Sequence, residues 1–191
     1  MAEWKGQEEF PVIETDRLVL RQLLIEDAAS LYQYWSDPDV TEYLTLESFA
    51  NIQEAVAMIE LLNGLPASKQ GIRWVITRKE DNKVLGTCGF HNVKLEHSRA
   101  EIGYELGKEY WGQGVMKESL TAILNYGFNK MKYNRVEAFV NVGNSKSAKI
   151  LAKRGFRLDG LLREYEFACG KFVDQHCYSL LKSDYELTFK K

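Results

Sequence analysis

The chain has few of the residues that build covalently or metal-stabilised scaffolds. Only three of its 191 residues are cysteines, and the positions are widely spaced: Cys88, Cys169 and Cys177. An odd number at such spacing argues against a disulfide framework and a zinc motif, and favours a reducing environment. The three histidines share no metal-ligand spacing either. We therefore expect no bound metal.

Long apolar runs and an excess of one charge are also missing. No run of about 18 apolar residues occurs, and residues 1–9 are polar, without the apolar segment of a signal peptide. Lys and Arg number 25 against 27 Asp and Glu, a net charge of −2 without a basic tract. This balance lacks the usual electrostatic signature of nucleic-acid binding. We expect a cytoplasmic protein with neither a membrane nor a nucleic acid as partner.

Apolar residues are nevertheless plentiful, at 45% of the chain, with 12% aromatic. That content suffices for a sizeable core, and no Pro-, Gly- or Ser-rich stretch suggests a linker. The expected organisation is one domain over residues 1–191, with its folded core at about 12–183.

Hydrophobic periodicity predicts alternating helices and strands. Strands are predicted at 17–22, 72–78, 83–93, 99–106, 135–142, 156–167 and 171–181. Helices are predicted between Asp27 and Asp37, at about 48–62 and 115–131, and from an N-cap at Asn144 to Gly155. The strand–helix–strand order around 115–131 predicts a parallel pair formed by strands 99–106 and 135–142.

Two glycines, Gly112 and Gly114, stand at the start of the helix predicted at 115–131. The first backbone N–H groups of a helix have no partner and carry partial positive charge, so this place suits an anionic ligand. A nucleoside-triphosphate loop would need Lys and Ser or Thr after Gly114, where Val115 and Met116 stand. A dinucleotide fingerprint would need glycine in place of Lys117. The remaining interpretation is a diphosphate held mainly by backbone amides.

An ordered set of motifs resembles the acetyl-CoA signature of the GNAT N-acetyltransferase superfamily. The segments are Glu101-Ile102-Gly103-Tyr104-Glu105-Leu106, Trp111-Gly112-Gln113-Gly114, Asn144 and Gly155-Phe156. The opening 14–21 and the closing 160–174 further resemble the RimJ/RimL-like branch, which includes enzymes that acetylate the N-terminal amine of ribosomal proteins. The resemblance implies a mixed α/β fold with a largely antiparallel seven-stranded sheet, a splayed parallel pair and helices on both faces.

The resemblance also implies where acetyl-CoA binds, without a metal. The implied cofactor-binding residues are Glu105, Leu106, Trp111, Gly112, Gln113, Gly114, Val115, Met116, Lys117 and Asn144. A backbone N–H near Leu106 would polarise the acetyl carbonyl. Trp111 and its neighbour Tyr110 would wall the cofactor or simply pack. Gly103 would either form a bulge that opens the strand pair or relieve a packing conflict.

The sequence departs from the family pattern at three positions. Trp111 and Met116 replace residues of the common loop motif, although neither change removes a backbone donor. The tyrosine that many members use as a general acid aligns with Leu151, which has no proton to donate. By resemblance, Ser147 would face the cofactor sulfur, unless it only bonds the local backbone. Glu166 would be the base through a bridging water, with Glu101 as the competing base.

These residues imply acetyl transfer to a primary amine by direct attack through a tetrahedral intermediate. An N-terminal α-amine has a pKa near 8 against about 10.4 for lysine, so it needs only mild base assistance. The expected acceptor is the N-terminus of a ribosomal or other protein or of a peptide. A small amine such as an amino sugar or polyamine is the alternative, as is a non-catalytic acyl-CoA-binding module. Relatives suggest a homodimer.

Overall fold

The computed structural model describes residues 10–44 and 47–189. The polar segment 1–9 and the last residues of the expected domain, 190–191, lie outside the described residues. The organisation into one domain stays a prediction.

A mixed sheet forms the centre of the fold, and its strands follow the spatial order β1-β2-β3-β4-β5-β6-β8-β7. All neighbouring strands are antiparallel except β5 and β6, which are parallel as predicted. The described sheet has eight strands, because the two-residue strand β1 adds to the seven that periodicity indicates. The strands are β1 (Ile13–Glu14), β2 (Leu18–Arg21), β3 (Ile72–Arg78), β4 (Val84–Lys94), β5 (Arg99–Leu106), β6 (Arg135–Asn141), β7 (Arg157–Ala168) and β8 (Lys171–Leu181).

Helices connect the strands. They are α1 (Ala28–Trp35), α2 (Pro38–Thr41), α3 (Ile52–Gly64), α4 (Val115–Asn129), α5 (Ser145–Lys153) and α6 (Lys182–Phe189). The Asn51 side chain caps α3 by accepting from the Glu54 amide, which places the start of this helix later than the predicted residue 48. The Asn144 side chain caps α5, as predicted. The short α2 and the terminal α6 were not predicted.

Helices cover both faces of the sheet. On one face, α4 packs closely on β4, since a Cβ at Gly127 would lie only 2.8 Å from the Phe90 ring. Tyr126 of α4 also meets the ring of Trp74 on β3 edge-to-face. On the other face, Trp35 of α1 donates to the carboxylate of Glu105 on β5. The expected arrangement of helices on both faces is confirmed.

Candidate active site

Strands β5 and β6 separate soon after they pair. Their parallel pairing covers only Arg99 to Glu101 on β5 and Arg135 to Glu137 on β6. Beyond this point β5 continues to Leu106 and β6 to Asn141. The splayed parallel pair implied by the resemblance is therefore present, and it leaves an opening between two central strands.

A cavity of about 610 Å³ occupies this opening. On β5 its lining includes Glu101 and Gly103 together with Ile102 and Tyr104. Successive residues of a strand point to opposite faces of the sheet, so the cavity passes through the sheet. We call its two mouths the α5 side, where Tyr104 meets α5, and the α1 side, where Glu105 meets α1.

The glycine loop lies at the start of α4. Gly114 is the N-cap residue, with a φ of 78°, and Gly112 has a φ of 75°. Within the described part of the chain, the backbone N–H groups of residues 113–117 meet no hydrogen-bond acceptor. A Cβ placed at Gly112 would meet nothing within 4 Å, so the space before the loop is open. Unpaired donors, a helix N-terminus and free space together fit a diphosphate group.

Arg17 and Glu118 fix this loop to the first part of the chain. The Arg17 guanidinium donates to the Gln113 carbonyl at 3.2 Å and to Glu118 Oε2 at 2.7 Å. Thr15 Oγ1 and the Arg17 amide both donate to Glu118 Oε1. Burial acts to raise the pKa of Glu118, but these hydrogen bonds and the Arg17 charge hold it below its ordinary value. The loop is thus held from behind while its amides stay unpaired.

Trp111 connects the loop to the cavity. Its indole Nε1 donates to the Leu106 carbonyl at 3.0 Å, where β5 ends. The Lys146 ammonium of α5 lies 4.0 Å from the centre of the Trp111 ring. Tyr110, in contrast, is buried and packs edge-to-face on Tyr34. Of this aromatic pair, Tyr110 has the packing role, and Trp111 lies between the end of β5 and the start of α5.

A pair of hydroxyl groups lies on the α5 side. Tyr104 OH and Ser147 Oγ are 2.7 Å apart, and both residues line the cavity. Asn144 accepts from the Ser147 backbone amide at 3.0 Å, which orients the first turn of α5. Burial raises the pKa of Tyr104 to about 12, against a smaller lowering effect of the Ser147 hydrogen bond. Tyr104 is therefore protonated throughout the physiological range and keeps a proton to donate.

Tyr104 was missing from the sequence-based set of site residues. Leu151, which aligns with the usual tyrosine, is fully buried, whereas Tyr104 brings a phenol to Ser147 from strand β5. The signal in the sequence was the position of Tyr104 within the motif 101–106. Only the packing of α5 against β5 identifies its partner.

Glu101 lies on the α1 side of the cavity. Asn92 Nδ2 donates to its Oε2 at 2.9 Å, and His91 Nε2 lies 3.4 Å from the same oxygen. Burial acts to raise the pKa of Glu101, but the hydrogen bonds from His91 and Asn92 and the charges of His91 and Arg99 hold it below its ordinary value. Glu101 is therefore an ionised carboxylate with a fixed orientation.

Glu166 lines the same cavity from β7. The β7–β8 register shifts between Leu162 and Glu166, and Glu164 within this bulge has a φ of 49°. Such a bulge re-aims the side chains that follow it. Gln175 Nε2 donates to Glu166 Oε2 at 2.6 Å and to Asn141 Oδ1 at 2.9 Å. The structure thus brings both predicted candidate bases to one cavity.

Glu105, predicted to bind the cofactor, has a side chain committed elsewhere. Its carboxylate is buried on the α1 side and accepts from Trp35, Thr87 and Arg73. Only the Glu105 backbone remains for the predicted contact.

Gly103 lies in register with Gly89 of β4, away from the register shift in this strand pair. A Cβ at Gly103 would lie 2.9 Å from Arg73 Nη1 and 3.0 Å from the His91 ring. Gly103 therefore relieves a packing conflict and does not form the bulge that the sequence also allowed.

Neither a cluster of metal ligands nor a membrane-spanning helix occurs in residues 10–44 and 47–189. No group of three or more His, Cys, Asp or Glu side chains there is arranged to hold a metal ion. No helix in these segments is long and apolar enough to cross a membrane.

This combination of a splayed strand pair, a helix-capping glycine loop and a cavity through the sheet defines an acyl-CoA-dependent transferase. The family model of the acetyltransferase (GNAT) domain matches residues 17–157. The chain belongs to the GNAT acetyltransferase family and is an acetyl-CoA-dependent N-acetyltransferase.

Individual relatives agree with this assignment. The chain is 44% identical over 171 residues to the uncharacterised N-acetyltransferase p20 of Bacillus licheniformis, covering 90% of this chain and 96% of that protein. It is 25% identical over 178 residues to the [ribosomal protein uS5]-alanine N-acetyltransferase of Escherichia coli K12, covering 91% and 92%. A solved structure of the ribosomal L7/L12 α-N-protein acetyltransferase RimL with coenzyme A superposes with a TM-score of 0.81 at 20% identity, covering 90% and 98%. The resemblance to the RimJ/RimL-like branch is thereby confirmed.

Proposed function

We propose that the protein acetylates the N-terminal α-amine of a protein or peptide, most specifically a ribosomal protein. The observation that carries this proposal is the cavity through the sheet. It has a hydroxyl pair, Tyr104 and Ser147, on the α5 side and two carboxylates, Glu101 and Glu166, on the α1 side. A donor entering from one side and an amine from the other would meet in the gap.

The residues of the loop are assigned to the cofactor. The amides of residues 113–117 would hold its diphosphate, with Trp111 and Asn144 beside the path towards the gap. When bound, acetyl-CoA supplies an electrophilic thioester carbonyl and a thiolate leaving group. The backbone N–H near Leu106 would stabilise negative charge on the carbonyl oxygen.

The carboxylates are assigned to the amine. An α-amine with a pKa near 8 is mostly protonated at neutral pH, so a base has to accept a proton before or during attack. Glu166 would do this through a bridging water, with Gln175 holding one of its oxygens. Glu101, ionised and oriented by Asn92, is the second candidate. Both negative charges also attract a cationic acceptor.

The hydroxyl pair is assigned to the leaving group. A thiol has a pKa of about 8.5, so its thiolate leaves readily and a hydrogen bond suffices to assist it. One hydroxyl group of the Tyr104–Ser147 pair donates to the other, so the second O–H is left to donate a hydrogen bond to the sulfur. In the net reaction an amine N–H is replaced by an amide N–C bond, and CoA is released as the thiol.

The test is acetylation of a mixed panel containing ribosomal proteins, peptides and small amines, read by mass spectrometry and by release of free thiol. We expect labelling at protein or peptide N-termini. Labelling of polyamines or amino sugars alone would show that the acceptor is a small amine and not a protein or peptide N-terminus. Tight binding of acetyl-CoA without thiol release at any pH from 7 to 9 would show that the protein is a non-catalytic acyl-CoA-binding module. The Ser147→Ala variant serves as the control, because it should release thiol more slowly than the native protein with the same acceptors.

A further inference from the structure

The side chain of Arg73 crosses the α1 face of the sheet in a channel made by two glycines. Arg73 of β3 pairs in register with Gly89 of β4, which pairs with Gly103 of β5. Residues paired in this way share one face of the sheet. A Cβ at Gly89 would lie 3.0 Å from Arg73 Cδ, and one at Gly103 would lie 2.9 Å from Arg73 Nη1. A larger residue at Gly103 would displace the arginine side chain, and one at Gly89 would also collide with the β3 backbone, 2.2 Å from the Ile72 carbonyl oxygen.

Two nitrogens of the Arg73 guanidinium are used within the protein. Nε donates to Thr87 Oγ1 at 2.7 Å, and Nη2 donates to the buried carboxylate of Glu105. The third nitrogen, Nη1, has no hydrogen-bond acceptor in the part of the chain that the structure describes. It is not one of the fully buried polar atoms that lack a partner, so it is accessible from the cavity. Arg73 lines the cavity. Nη1 is therefore a fixed donor that faces the site.

The charge around Nη1 selects what it can bind. The ion pair with Glu105 neutralises Arg73, and Glu101 and Glu166 add negative charge to the same cavity. A free carboxylate would be repelled there, whereas a neutral carbonyl oxygen accepts a hydrogen bond without adding charge. Nη1 is thus suited to an amide carbonyl.

The spacing along β5 matches one amino-acid residue. Glu101 and Gly103 are two positions apart on the same face, which is about 6.6 Å along a strand. The amine nitrogen of an N-terminal residue lies at most about 3.6 Å from the carbonyl oxygen of the same residue. An amine held by the Glu101 carboxylate can therefore place its carbonyl oxygen within hydrogen-bond reach of Arg73.

From this geometry we propose that Arg73 binds the first peptide carbonyl of the acceptor, so that the site selects α-amino amides over simple amines, polyamines and free amino acids. The inference rests on the proposed function and specifies its acceptor. Arg73 is a substrate-binding residue in this account, and the two glycines give it access to the site.

The test compares three acceptors of similar size: alaninamide, alanine and isopropylamine, with kcat/KM expressed per neutral amine from thiol release. The native protein should favour alaninamide over each of the others by on the order of tenfold or more, the usual effect of a charge-assisted hydrogen bond. Arg73→Lys keeps the charge beside Glu105 but loses the planar donor fork. It should lower this preference about tenfold while changing the isopropylamine rate less than about twofold.

Controls separate binding from folding. Arg78→Lys changes a partly exposed arginine on the same strand, paired with Asp81, and should leave the preference unaltered. If Arg73→Lys lowers the melting temperature severely, the double variant Arg73→Met with Glu105→Gln removes both charges together and repeats the test.

Equal losses for all three acceptors would mean that Arg73 has only a structural role. Acetylation of isopropylamine or a polyamine as fast as alaninamide would overturn the inference and leave acetyl transfer intact. Absence of turnover with every amine would overturn the proposed function itself, and the inference with it.

Discussion

Tyr104 supplies the hydroxyl group that Leu151 lacks, and it does so from a strand instead of from helix α5. Its pKa of about 12, raised by burial, makes it a poor source of a fully transferred proton. It remains a good hydrogen-bond donor, which is enough for a thiolate whose conjugate acid has a pKa of about 8.5. Because Tyr104 OH and Ser147 Oγ lie 2.7 Å apart, we propose that the two hydroxyl groups act together on the leaving thiolate.

We therefore expect similar kinetic losses from Tyr104→Phe and Ser147→Ala. Each variant should lower kcat by roughly ten- to a hundredfold, and the double variant should lose little more, because paired groups act non-additively. Thiol release at saturating acetyl-CoA measures this. Unchanged kcat in both single variants would show that the hydroxyl pair does not assist the reaction.

The two carboxylates can be distinguished by the pH dependence of their variants. If Glu166 is the base, Glu166→Gln should lower kcat/KM most below about pH 8, where an α-amine is mostly protonated. Glu101 has a lowered pKa, so it stays ionised from pH 6 to 9, and its own titration adds no step to the profile there. The pH–rate profiles of Glu166→Gln and Glu101→Gln test which of the two carboxylates is the base.

An unaltered profile for Glu166→Gln together with a changed one for Glu101→Gln would transfer the role to Glu101. If neither profile changed, neither Glu166 nor Glu101 would be the base.

Single-residue roles were predictable only where a motif or a cap specified them. Asn144 as an N-cap follows from its residue type and position. Tyr104, Arg73 and Gln175 were not identified, because their roles depend on neighbours from other strands and helices. Gly103 shows the limit well: the sequence allowed a bulge or a packing reason, and only the position of Arg73 decided between them.

The part of helix α4 proposed to contact the cofactor is its first turn. Gly112→Glu should place a carboxylate and bulk in the open space before the loop amides, and should weaken CoA binding by on the order of tenfold or more. Gly112→Ala is the matched control for backbone strain, since any L-residue is disfavoured at a φ of 75°. Calorimetric CoA affinity and melting temperature measure both effects. Equal CoA affinity in the two variants would count against the loop as the diphosphate site.

The connection between α4 and the start of the chain should also be visible in stability. Glu118 has a lowered pKa in the folded protein, so its contribution is present above the unfolded pKa of about 4.3 and is lost as the pH falls through the folded value. Glu118→Gln should cost about 1–2 kcal/mol at pH 7.

Thermal unfolding from pH 3 to 7 measures this effect, and the difference from the native protein should disappear at the acidic end. Glu14→Gln, which breaks an exposed pair with Lys79, should have no such effect. A pH-independent difference for Glu118→Gln would show that its charge is not responsible.

At the level of elements, strong periodicity gave reliable predictions. The seven main strands and helices α3, α4 and α5 follow from apolar spacing, turn residues and caps. Strand β1 has only two residues, too few for a period. Helix α6 carries charged residues without a clear apolar stripe, and it is held by tertiary contacts such as Tyr185 stacked on Phe128 and Arg157 bonded to Asp184.

For the whole molecule, the sheet does more than support the site, because the site passes through it. The separation of β5 from β6 exposes backbone in the middle of the sheet. In the proposed reaction, the donor and the acceptor would enter this gap from opposite faces. The family resemblance predicted this gap, whereas periodicity alone predicted only the parallel pair. The α1 side, proposed to bind the acceptor, was the least predictable part, since it is assembled from β3, β4, β5, β7 and β8.

The proposed reaction requires the amides of residues 113–117 to hold the diphosphate of CoA and to direct its sulfur to the hydroxyl pair. A crystal structure with bound CoA would show both contacts. We expect phosphate oxygens within about 3.2 Å of those amides, with the sulfur between β5 and β6 next to Tyr104 and Ser147. A diphosphate bound away from the start of α4, or a sulfur outside the gap, would contradict it.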